Sequence, residues 1–215
     1  MFPQLLTKNL RLLTSKLTLL IFLLIIQFYF LINGRAIFPD YWNDTWQTIT
    51  LIYFASTFLF LAVSTSKARK SVEVPLSTAL LHFSLGFLIT WGILVALGIS
   101  KLVSYPTIPK SQAFFTLLFN VFVVAPSEEI IFRAVIPSLL PFKPQYVNWI
   151  ISSILFGVFH QAVYGLNLWF IAIAFMISML WFFVNSKTSL ATSIGSHAAY
   201  NACVSGAITQ LPFLM

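Results

Sequence analysis

Long apolar runs dominate this sequence and leave very little of it to carry charge. Seven runs cover residues 17–32, 48–63, 76–98, 113–140, 147–164, 166–184 and 189–211. Most approach the roughly 20 residues that take an α-helix across a bilayer. None shows the period-2 alternation of a transmembrane β-barrel strand. Charged residues make up only 8% of the chain and hydrophobic ones 59%, whereas about a quarter of a soluble domain is charged. The expected fold class is therefore all-α: a polytopic transmembrane helix bundle of about seven spans. The run at 48–63 is short, and that at 113–140 is long enough to be kinked or strongly tilted.

The formal net charge of +7 does not imply a nucleic-acid partner, because the basic residues lie between apolar runs, where they set membrane orientation. With the N-terminus in the cytoplasm, the inside loops carry Lys8, Arg11, Lys16, Lys67, Arg69, Lys70, Lys143 and Lys187, against Arg35, Lys101 and Lys110 outside. The expectation is an integral protein of the cell inner or plasma membrane. The N-terminal segment resembles a signal peptide but lacks a small-residue cleavage site, so it reads as a retained first helix. A single cysteine, Cys203, excludes an internal disulfide and a multi-cysteine metal cage.

Only five acidic residues are present, and two of them, Glu128 and Glu129, stand together in APSEEIIFR (125–133). An ionised side chain at mid-bilayer costs at least roughly 2.5–3.5 kcal/mol, so this island needs a reason. Four residues separate Glu129 from Arg133, which on a helix puts both on one face as an ion pair. Glu128 is rotated about 100° away and must face another segment. Pro126 is expected to kink or interrupt the helix, and Ser127 to cap its restart.

Other polar groups in apolar runs supply partners. FGVFH (156–160) places His160 one turn after Phe156, and SHAAYN (196–201) puts His197 and Asn201 on one face. His82 has no polar companion at helical spacing and reads as a packing residue. Counted from the expected cytoplasmic ends, Glu128, His160 and His197 lie some 12–20 Å deep at roughly 1.5 Å per residue, near one level of the bilayer. A carboxylate beside an imidazole can hold a water and take its proton as it attacks a carbonyl. Amide and imidazole N–H groups can steady the resulting oxyanion.

With its EExxxR, FxxxH and HxxxN motifs in order, the chain resembles the CAAX prenyl protease and bacteriocin-processing family of intramembrane proteases, also called CPBP or Abi. The resemblance spans roughly residues 112–205. It divides the chain into N-terminal helices of undefined role (1–110) and a protease core (111–215). It implies a glutamate-type endopeptidase opening toward the cytoplasm, acting on a peptide or protein with a membrane-proximal cleavage site amid membrane lipid. No cofactor, metal or nucleic acid is called for. In the family pattern Glu128 activates water with His160, while Glu129 and Arg133 orient the site. His197 and Asn201 bind the oxyanion or position the water. Two departures bear on the substrate groove: the run before the last motif has no glycine, and its entry reads KTSL (187–190).

Three other readings stay open. One Glu and two His can bind zinc, although no HExxH is present. Intramembrane Glu, His and Arg also serve proton-coupled transporters, which predict a repeated broken helix that is not found. A peptide-binding immunity protein that cuts nothing is the third.

Overall fold

The computed structural model describes residues 18, 21, 25, 73–99, 114, 117–160 and 168–204. Thr18, Ile21 and Ile25 are helical. Apart from these three, the expected spans 17–32 and 48–63 lie outside the described residues. All regular structure among the described residues is helical. In chain order it comprises α1 (Leu76–Ile99), a π-helical turn π1 (Asn120–Val124), α2 (Ala125–Glu129), a second π turn π2 (Ile130–Val135), α3 (Ile136–Leu139), α4 (Gln145–Phe159), α5 (Leu168–Lys187) and α6 (Leu190–Val204). Of these, Leu76–Leu97 and Leu168–Lys187 are long and apolar enough to cross a membrane. Both expose leucine and isoleucine side chains along their length, and the second also exposes Trp169, Phe170 and Phe183, an apolar surface that suits lipid.

Described residues fall into two compact units, those of 73–130 with 181–204, and those of 131–180 with the three described before residue 73. In the first, α6 packs against α1, π1 and α2. The α1–α6 crossing depends on two glycines. A Cβ on Gly86 would collide with the Thr192 carbonyl, and one on Gly195 with the Phe83 carbonyl. With the side chains gone, the two backbones approach closely, as small residues allow at helix interfaces in membranes. Ser196 Oγ donates to the Gly86 carbonyl at 3.2 Å, and His82 Nδ1 lies 2.8 Å from Ser189 Oγ. His82 is thus a hydrogen-bonded packing group. Ala202 and Cys203 extend the contact, covered by Phe87, Trp91, Leu94 and Leu117.

In the second unit the same device joins α4 to α5. Ser178 Oγ donates to Ser153 Oγ at 2.8 Å, and a Cβ on Gly157 would meet the Ile171 carbonyl at 2.9 Å. Ser152 Oγ donates to the Phe132 carbonyl of π2. Asn148 Nδ2 donates to the carbonyls of Leu140 and Phe142, at 3.3 and 3.2 Å, fastening the loop that enters α4.

The expected single span at 113–140 is helical from 117 to 139 but not uniformly α. Each π turn ends two residues before a proline: π1 before Pro126 and π2 before Pro137. A proline has no N–H, and its ring clashes with the carbonyl four residues back. Widening the preceding turn to i→i+5 bonding relieves that conflict; the Ala125 N–H bonds to the Asn120 carbonyl. Pro126 therefore interrupts the α ladder without ending the helix. This also corrects the expected role of Ser127. The cap position falls at Val124 with no side-chain bond, and Ser127 is buried inside the helix.

Replacing Gly195 with alanine should force α1 and α6 apart and lower stability by about 1–3 kcal/mol. Gly92→Ala, on the same α1 but with nothing within 4 Å, should be neutral or stabilising by up to about 1 kcal/mol. Thermal unfolding of detergent-solubilised protein distinguishes the two.

Candidate functional site

Glu128 and Glu129 occupy the single α turn between the two π turns. Packing of α6 on α2 brings His197 to both. Its Nδ1 lies 3.0 Å from Glu129 Oε1, and its Nε2 lies 3.6 Å from Glu128 Oε2. The first is a hydrogen bond; the second is too long for one but close enough for strong electrostatic influence, and suits a bridging water. An ionised carboxylate only accepts, so Nδ1 carries the proton. In the neutral ring Nε2 then holds the lone pair, on the side facing Glu128.

Burial separates the two acids. Glu129 is 0% exposed and His197 1%, whereas the Glu128 side chain retains 17%. Glu129 is thus placed to orient the imidazole, and Glu128 is the carboxylate that water can reach. Glu128 does face a residue of another helix, as its rotation away from Arg133 requires. Glu129 accepts the imidazole N–H of His197. Spacing in sequence does not reveal this contact, because it depends on which helix packs opposite Glu129.

The other face of His197 is covered by Trp181, stacked with ring centroids 4.7 Å apart and planes at 29°. One turn further along α5, Asn185 Nδ2 donates to Ser193 Oγ at 2.8 Å. Both pairs are centred on Ser189: Asn185 and Ser193 lie four residues to either side, Trp181 and His197 eight. The KTSL turn thus closes an antiparallel helical hairpin whose rungs are these pairs. Trp181 is the site-lining residue that the motifs do not disclose. Its only signal is this symmetry about the turn, legible once the hairpin is known. Asn201, four residues after His197, is half-buried on α6.

Arg133 and His160 belong to the second unit, where Phe156 links them. The Arg133 guanidinium lies over the Phe156 ring at 4.4 Å from its centroid, a favourable cation–π distance. The His160 ring centroid is 4.3 Å from that of Phe156, and Phe132 meets Phe156 edge-on at 5.3 Å. The span expected at 147–164 puts His160 inside a helix; it stands instead at the C-cap of α4, with φ −68° and ψ −13°. Its own Nδ1 lies 2.9 Å from the Phe156 carbonyl. Side-chain bonding to that carbonyl competes with the continuing backbone ladder. A carbonyl only accepts, so His160 too carries its proton on Nδ1 and its lone pair on Nε2.

The described residues form an all-helical fold, with two helices long and apolar enough to cross a membrane and a carboxylate–imidazole centre. Residues 110–203 match the family model described as type II CAAX prenyl endopeptidase Rce1-like, so over this stretch the chain is similar to that family. The match agrees with the resemblance carried by the three motifs, all of which it contains. Neither a curated protein nor a solved structure matches the chain significantly. The matched family is described as one of endopeptidases.

Substituting Glu129 by leucine removes the acceptor of a buried N–H, so stability should fall by about 1–3 kcal/mol or more. Glu129→Gln, which keeps a carbonyl oxygen, should lose less. Denaturant titration of the two variants in one detergent gives the comparison.

Proposed function

We propose that the protein is an intramembrane endopeptidase in which Glu128 activates the water that hydrolyses a membrane-proximal peptide bond. The observation that carries this reading is the division of labour at His197: a sealed carboxylate fixes the ring at Nδ1, and Nε2 faces a carboxylate that solvent reaches. A water between Glu128 and Nε2 donates to both. Glu128 takes one proton as the water oxygen adds to the carbonyl carbon. When the tetrahedral intermediate collapses, the carboxyl returns that proton to the departing amine nitrogen.

Roles for the remaining motif residues follow from chemistry and family pattern. Neutral His197, with its Nδ1–H donated in a hydrogen bond to Glu129, positions the water and does not supply the oxyanion donor. The Asn201 amide takes that part. His160, assigned from its place in FxxxH, offers its Nε2 lone pair as the alternative to His197 for the second hydrogen of the attacking water. Arg133 steadies the acidic segment while resting on Phe156; its flat guanidinium suits a ring face better than an ammonium does. The N-terminus is assigned to the cytoplasm by the distribution of Lys and Arg.

A second reading has one observation in its favour. An imidazole whose Nδ1–H is held by a carboxylate is also how zinc-binding histidines are oriented. Metal analysis and chelator treatment separate the two, since a glutamate-type enzyme retains full turnover without stoichiometric zinc.

Glu128→Gln is nearly isosteric, so it should abolish cleavage while the protein still inserts and folds; His160→Ala should do the same. Comparing C-terminal peptides by mass spectrometry, in membranes from cells with wild-type and Glu128→Gln protein, reads out the substrate. Normal turnover by Glu128→Gln on that substrate would remove Glu128 as the base. Arg133→Lys keeps the charge but loses the flat contact with Phe156, and should cost activity as well as stability, measured on the same substrate and by thermal unfolding.

A further inference from the structure

We infer that Trp181 is a positioning residue, setting the plane of the His197 ring for the reaction proposed above, on which this inference rests. The hydrogen bond to Glu129 holds one ring nitrogen at 3.0 Å. One such bond fixes a point and leaves the ring plane able to turn. The indole, stacked at 4.7 Å and 29°, supplies the missing plane. Only with both restraints does Nε2 stay directed at Glu128, 3.6 Å away.

Two further observations mark this contact as a built one. Trp181 is 7% exposed and its neighbour Phe182 4%, whereas α5 turns Trp169, Met176, Leu180 and Phe183 outward. The Asn185–Ser193 hydrogen bond, one turn nearer the hairpin, fixes the register in which indole and imidazole meet. Turning the imidazole about its Cβ–Cγ bond would sweep its edge into the indole face and break the bond to Glu129. Trp181 thereby guards the Nδ1–H tautomer, and with it the lone pair that holds the water. It touches neither substrate nor water in this scheme and acts only through His197.

The deciding measurement is NMR of protein with nitrogen-labelled imidazoles in lipid nanodiscs, the His197 signal being assigned by its loss in His197→Gln. Wild-type protein should show one Nδ1–H tautomer for His197. Trp181→Leu, apolar but without a flat face, should show averaged tautomers. With a farnesylated CAAX peptide as probe, its kcat should fall about tenfold to a hundredfold, as misplacement of a reacting group does, with KM within about twofold. Trp181→Phe should restore the single tautomer and most of kcat. If Trp181→Leu does not fold, Trp181→Met supplies the same comparison. A single Nδ1–H tautomer in Trp181→Leu or Trp181→Met overturns the inference, whatever the peptide shows, and leaves the hydrolytic reading standing. Averaged tautomers in a setting where wild-type protein leaves the peptide intact support the inference and count against hydrolysis of that substrate.

Discussion

Glu129 and His197 are sealed from solvent, and the 3.0 Å hydrogen bond between them offsets part of what it costs to bury each. In a medium with little water, a charge-assisted bond is strong and an unmet donor or acceptor is expensive. Most of the first unit can be understood as the means of making this bond. Helix α6 must lie close to α2, and its position is set by a glycine crossing with α1 and a short hairpin with α5. The role proposed for Glu128 rests on the same bond, because it decides which ring nitrogen is protonated and which one faces the less buried acid.

Prolines shape the acidic segment without breaking it. Two widened turns bracket the α turn bearing both glutamates, and a π turn rotates everything after it relative to a regular helix. Such turns are often found at functional sites, where the ordinary helical phase would aim side chains elsewhere. Here they set the phase of the turn on which Glu128 and Glu129 divide between partial exposure and complete burial.

In the second unit, FxxxH acquires a physical meaning of its own. Phe156 is a platform for the Arg133 guanidinium and the His160 ring, and its carbonyl takes the imidazole N–H of His160. The motif phenylalanine therefore organises two polar side chains, one of them contributed by EExxxR. Both motif histidines end in the same protonation pattern, reached by different acceptors: a carboxylate for His197 and a main-chain carbonyl for His160.

Much of the helical framework was legible from apolar run length, since a buried or lipid-covered helix needs little beyond continuity of apolar residues. The run at 76–98 matches Leu76–Ile99, and those at 166–184 and 189–211 overlap α5 and α6 with shifts of a few residues at their described ends. The candidate site residues stood out in the sequence for a related reason: charge inside an apolar run is costly. Tertiary structure alone decided how those residues are used. It gave Glu129 to His197, moved His160 to a helix end, left Ser127 uncapping and placed Trp181 against the imidazole. These outcomes depend on which helix lies opposite and at what rotation, and a hydrogen bond a few ångströms long responds to that geometry where hydrophobicity does not.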